Sequence, residues 1–172
     1  ISFKNMTLWT DLAQSMEVGY ETNKGNSPDS KITDITFEDI TVLHNFHKPV
    51  ISVHNADDAL VSGITFRNIT VEDARMGAGD AGDNNQLIDI AIVQNGNWST
   101  TKERGQIRDV TIEGVKVLTG NLPPSRIVGF DSTHTVENVF ISGLEILGKN
   151  ITSFEDGLFE INEKTTKNIV IE

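Results

Sequence analysis

Along this chain apolar and polar residues alternate in short runs, and the runs recur. The recurring block reads apolar, x, apolar, a break at a polar or glycine residue, then apolar, x, apolar. It occurs as Ile1/Phe3/Met6/Leu8, Ile35/Phe37/Ile40/Val42, Ile64/Phe66/Ile69/Val71, Val110/Ile112/Val115/Val117 and Val139/Ile141/Leu144/Ile146, followed by a truncated Ile169/Ile171. A period of two marks a strand with one buried face. Successive blocks begin about 34, 29, 46, 29 and 30 residues apart, within the range of stacked structural repeats. Helical repeats of that length need apolar residues at i, i+3, i+4 and i+7 over roughly ten or more positions, and these short alternations do not supply them.

The break falls at Asn5, Asp39, Asn68, Gly114 and Gly143, residue types that tolerate a left-handed backbone and let a strand turn a corner. A further apolar alternation follows each block: Met16/Val18, Ile51/Val53, Ile88/Ile90, Ile127 to Phe130, and Phe159/Ile161. The pattern predicts an all-β chain, a right-handed single-stranded parallel β-helix of about five coils with three short strands per coil. Residues 1–172 form a single domain in this reading, a piece of a longer solenoid. Stacking aligns Phe3, Phe37, Phe66, Ile112 and Ile141 as one buried ladder. Strands at both ends leave open edges, which would meet further coils upstream or a second copy of the chain.

Composition narrows the partners. Fourteen Lys and Arg against 25 Asp and Glu give a net charge of −11, which disfavours nucleic acid because nothing neutralises phosphates. The sequence holds no apolar run long enough for a membrane span. The absence of cysteine excludes a disulfide framework and a thiolate metal site. His44, His47 and His54 lack metal-ligand spacing, so no metal and no cofactor is expected. Two connections are irregular: residues 20–30, and residues 73–86 with the run Met76-Gly77-Ala78-Gly79-Asp80-Ala81-Gly82-Asp83-Asn84-Asn85. The second lacks the acidic spacing of an EF-hand loop and reads as a surface loop.

Candidate chemistry sits on the outward row of the last strand in each coil. With Met16/Val18, Ile51/Val53 and Ile88/Ile90 turned inward, Glu17, Ser52 and Asp89 point outward in one column. At about 4.8 Å per coil, Glu17 and Asp89 would stand roughly 9–10 Å apart, near the upper end of the separation that admits a water between carboxylates in inverting glycoside hydrolysis. The first coil adds Trp9, Asp11, Tyr20 and Glu21 around this column, and the second adds His44, His54, Asn55 and Asp57. Trp9 has a flat face suited to a sugar ring or to the core, and His44 is an acid–base candidate near neutral pH.

The segments Trp9-Thr10-Asp11, Ser15-Met16-Glu17-Val18-Gly19-Tyr20-Glu21-Thr22, Asp34-Ile35-Thr36-Phe37-Glu38-Asp39, Asn55-Ala56-Asp57, Phe66-Arg67-Asn68-Ile69 and Pro124-Ser125-Arg126-Ile127-Val128-Gly129-Phe130-Asp131 resemble the polygalacturonase-like proteins of the pectate-lyase-like superfamily. The resemblance covers nearly the whole chain. It implies a secreted, periplasmic or cell-surface protein that acts on a polysaccharide or oligosaccharide as a glycoside hydrolase. Its catalytic carboxylates would be Glu17 with Asp57 or Asp89, with substrate held by Trp9, Asp11, Tyr20, Glu21, His44, His54 and Asn55. Ser52 stands where the family's pattern usually has an Asp, and the chain has no Gly-His-Gly and no Arg-x-Lys, so the standard route of pectin hydrolysis is not implied. The negative charge favours a neutral glycan. A polysaccharide lyase and a non-catalytic glycan-binding or structural solenoid stay open as alternatives.

Overall fold

A computed structural model describes residues 1–75, 86–121 and 124–172. The Gly- and Asp-rich run expected as a surface loop therefore lies outside the described residues. Among them there is no helix, and none that is long and apolar enough to cross a membrane. The chain is all-β. It runs through β1 (Ser2–Thr10), β2 (Met16–Val18), β3 (Lys31–Asn45), β4 (Ile51–Asn55), β5 (Leu60–Ala74), β6 (Ile88–Ile92), β7 (Gln106–Gly120), β8 (Ser125–Val128), β9 (Val136–Ile146), β10 (Lys149–Ile151), β11 (Phe159–Ile161) and β12 (Thr166–Ile171).

The strands visit two sheets in turn. One sheet follows the order β1-β3-β5-β7-β9, with β12 and β10 also on β9, and the other follows β2-β4-β6-β8-β11. Among the described residues every pairing is parallel except that of β10, which folds back antiparallel on β9. That hairpin is closed by Leu147 and Gly148, both at positive φ (51° and 82°), the backbone a two-residue turn needs to follow the strand twist. The sequence pattern did not anticipate it.

Register matches the sequence blocks. Phe3 pairs with Phe37, Phe37 with Phe66, Phe66 with Ile112, and Ile112 with Ile141. The rings stack with centroids 4.8 Å apart for Phe3 and Phe37 and 5.1 Å for Phe37 and Phe66. Burial holds from Phe37 onward, whereas Phe3, on the edge strand, is 38 % exposed. Inward residues of both sheets merge into one apolar cluster. Each fully buried Ile, Val or Phe contributes about 1.5–3 kcal/mol.

The short strands expected on either side of each break are instead segments of one long strand. Asn5, Asp39, Asn68, Gly114 and Gly143 all have positive φ, between 54° and 63°, so each bends the strand at one residue without breaking the ladder. A second series of left-handed residues, Asp34, Gly63, Asp109, Asn138 and Asn168, adds a bend the block pattern did not reveal. The corner side chains bond along the stack: Asn68 donates to Asp39 at 2.5 Å, Asn138 to Asp109 at 2.9 Å and Asn168 to Asn138 at 3.0 Å.

Candidate functional site

The outward row of the second sheet has the register read from the sequence. Glu17 pairs with Ser52, Ser52 with Asp89, Asp89 with Arg126 and Arg126 with Glu160. The expectation that Ser52 and Asp89 face solvent is corrected by their burial, while Glu17 is partly exposed. Strands β4 and β6 are buried on both faces, and Ser52, His54 and Asp89 have no exposed surface. Alternation identified the polar face without showing that this face is also covered.

Buried charge demands partners, and the column supplies them in sequence. His54 Nδ1 lies 2.9 and 3.0 Å from the two Glu17 carboxylate oxygens, and its Nε2 lies 2.9 Å from Asp89 Oδ2. Both ring nitrogens face carboxylates, so both are donors and the ring is an imidazolium. Burial alone would lower its pKa, but the Asp89 and Glu17 hydrogen bonds and charges override burial and raise it from 6.5 to about 9. Arg126 completes the chain, donating from Nε to Asp89 Oδ1 at 2.9 Å and from Nη2 to Oδ2 at 2.7 Å. Burial would push the Asp89 carboxyl up, and the bonds from His54 and Arg126 bring it below its ordinary value. Four groups of alternating sign thus run Glu17, His54, Asp89, Arg126. The space in which a water was expected between Glu17 and Asp89 is filled by the His54 imidazole.

Both ends of this chain meet the surface, Glu17 with its side chain 21 % exposed and Arg126 with its side chain 22 % exposed. Ser52 donates to Glu17 Oε2 at 2.6 Å, a shorter contact than its 3.1 Å approach to the Met16 carbonyl, and a hydroxyl has one proton to give. Tyr20 stacks on His54 at 4.3 Å between centroids. Gly19, at φ 121°, lets the strand end pass against the His54 carbonyl, which a Cβ there would meet at 1.8 Å. A cleft of about 450 Å³ opens beside Glu17, lined also by Gln14, Tyr20, Glu21, Lys48 and Trp98.

The remaining sequence candidates lie elsewhere. Asp57 is fully buried, and its Oδ1 accepts from the backbone N–H groups of Thr100 and Thr101, both at 2.7 Å. It anchors residues 93–105, the connection between β6 and β7. Asn55 is also buried. It accepts from the Thr22 hydroxyl at 2.5 Å and donates to the carbonyls of Ala59 and Gln106, tying three successive repeats together. Trp9, Asp11 and His44 form a separate group. The Trp9 indole donates to Asp11 at 3.0 Å, its ring lies 4.9 Å from the His44 ring, and His44 Nδ1 sits 3.1 Å from Asp73. None of these five lines the Glu17 cleft.

Two residues escaped the sequence reading of the site. Arg126 was hidden because the strand around Ile127 was placed only approximately; the Asp89–Arg126 register required the adjacent strand. Trp98 lies among Asn95, Gly96 and Asn97, turn-forming residues around a tryptophan outside any alternation, and that signal was legible. Among the described residues no group of three or more His, Asp or Glu side chains is arranged to hold a metal ion. Comparisons of the chain with protein-family models, curated proteins and solved structures returned no match.

Proposed function

We propose that the chain is a right-handed parallel β-helix from a secreted carbohydrate-active protein, and that it hydrolyses glycosidic bonds of a polysaccharide or oligosaccharide at Glu17. The uniform parallel register and the regular alternation between two sheets support the helical winding. One observation carries the activity. Glu17 is the carboxylate at which a buried, internally compensated charge chain opens into a cleft.

Both neighbours of Glu17 donate to it, so the carboxylate is oriented as an acceptor and suits the role of base. In this reading Glu17 takes a proton from water as the water oxygen bonds to the anomeric carbon. The bond from that carbon to the leaving oxygen breaks, and the leaving oxygen takes the proton of the cleft's second carboxyl group, Glu21 in its acid form, which ends as the carboxylate while Glu17 ends protonated. Asp89 acts as a positioning residue that keeps His54 charged and aimed, and Arg126 in turn holds Asp89. Asp89 has no exposed surface, and Asp57 serves the 93–105 connection, so neither is assigned proton transfer.

Screening neutral polysaccharides for reducing-end release tests this reading. Glu17→Gln keeps the side-chain shape and is expected to lower turnover at least about a hundredfold, with an unchanged circular dichroism spectrum. Wild-type turnover in a folded Glu17→Gln protein would remove the assignment and leave a glycan-binding solenoid.

A further inference from the structure

Trp98 stands half exposed, at 50 %, on the 93–105 connection. The turn beneath it is tightly held: Trp98 N–H and Ser99 N–H both donate to the Asn95 carbonyl, at 3.3 and 2.9 Å, the Asn97 N–H donates to Asn95 Oδ1 at 2.9 Å, and the Asn95 N–H donates to the Ser99 hydroxyl at 2.9 Å. The base of that connection is pinned by Asp57 through Thr100 and Thr101. Among the described residues the Trp98 ring stacks on no other ring and its indole N–H donates to no acceptor. Trp9 differs, since its N–H is taken by Asp11 and its ring lies against His44.

A large apolar face left in water costs free energy on the order of 25 cal/mol per Å², and here a rigid turn keeps that face at the wall of the cleft that also contains Glu17. An indole presents a flat, electron-rich face together with a donor at its edge. The complementary ligand has an apolar face of polarised C–H groups and a rim of hydroxyls, which describes a pyranose ring. The other groups at the wall, Gln14, Glu21 and Asn95, are amides and a carboxylate that bond hydroxyls. The chain's net charge of −11 disfavours an acidic sugar.

We infer that Trp98 is the stacking platform for a neutral pyranose unit of the substrate, one that positions the saccharide beside Glu17. The inference rests on the proposed hydrolase reading for its location, and its binding test is independent of turnover. The 172-residue chain is titrated by isothermal calorimetry with hexasaccharides of β-1,4-glucose, α-1,4-glucose, β-1,4-mannose and β-1,4-xylose, and with hexagalacturonate. At least one neutral hexasaccharide binds, Trp98→Ala weakens that binding by about tenfold or more, and Trp98→Tyr restores much of it. The melting temperature stays at the wild-type value in both variants. No binding of any neutral hexasaccharide, binding of hexagalacturonate alone, or equal affinity in Trp98→Ala would overturn the inference. If Trp98-dependent binding persists while Glu17→Gln retains full turnover, the platform stands and the assignment of Glu17 fails. If turnover is lost in Glu17→Gln while Trp98→Ala binds normally, the reverse holds.

Discussion

His54 is the residue on which the site turns. An imidazole with no exposed surface would ordinarily be neutral, yet two carboxylates hold it protonated with a pKa of about 9. Because the folded pKa is raised above the unfolded value of 6.5, the associated stability is fully present below pH 6.5 and is lost as pH rises through 9. It amounts to about 3 kcal/mol by the energy of a pKa shift of this size. Asp89 has the opposite sign: its lowered pKa stabilises the fold above about pH 3.8, and that stability is lost as pH falls through the folded value. Urea midpoints should therefore fall between pH 6.5 and 9.5 for the wild type and change much less for His54→Gln. A wild-type midpoint that is flat over this range would contradict a charged His54. Truncating the other cation, Arg126→Leu, leaves the Asp89 carboxylate with one partner in a buried setting. The expected loss is about 3 kcal/mol in equilibrium unfolding, and a loss below 1 kcal/mol would mean that the pair is dispensable.

At the level of the strand, the important feature is how a long element bends. β3, β5 and β7 each span fifteen residues and turn at two left-handed positions, filled by Asn, Asp or Gly because other side chains meet their own carbonyl there at a cost of about 1–2 kcal/mol. Asn68, at φ 54° on an exposed corner, allows a clean comparison. Asn68→Val should lower unfolding free energy by about 1–2 kcal/mol, while Asn68→Gly, which accepts the same φ, should shift it by less despite losing the bond to Asp39. Equal effects of the two substitutions would show that the hydrogen bond, not the backbone, sets the corner. The corners matter to the site because each one fixes the phase of the alternation that follows, and phase decides which residues enter the buried column.

For the whole molecule, the two sheets end in unpaired strands. Among the described residues β1 pairs only with β3 and β2 only with β4, leaving main-chain donors and acceptors open along that edge. Next to it is an apolar opening of about 420 Å³ lined by Ile1, Phe3, Met6, Leu8, Ile32 and Ile35. A net charge of −11 opposes contact between copies and is screened by salt. Sedimentation should show weight-average mass rising with chain concentration, more steeply at high ionic strength, and Met6→Lys should suppress the rise. A chain that stays monomeric in 1 M salt would show that the edge does not associate.

Much of this organisation was legible in the alternation itself. Parallel pairing in a fixed register repeats the same environment at each level of the stack, so a repeated pattern of Ile, Val and Phe specifies strands, core ladder and the Glu17/Ser52/Asp89 column without knowledge of distant contacts. The second row of corners was harder to see, since Asp34, Gly63, Asp109 and Asn138 resemble ordinary polar interruptions. Membership of the site was not legible. Asn55 and Asp57 have the residue types of a binding site, but their hydrogen bonds go to Thr22, Ala59, Thr100 and Thr101 and hold connections together. Sequence alone determined the strand type, the repeat and the inward face, all set by local periodicity. Only the tertiary structure decided that Ser52 and Asp89 of the outward column are buried, that His54 bridges Glu17 to Asp89, that Arg126 closes the charge chain, and that Trp98 faces the same cleft as Glu17. Burial and charge pairing depend on which segments converge in space, and no local period encodes that.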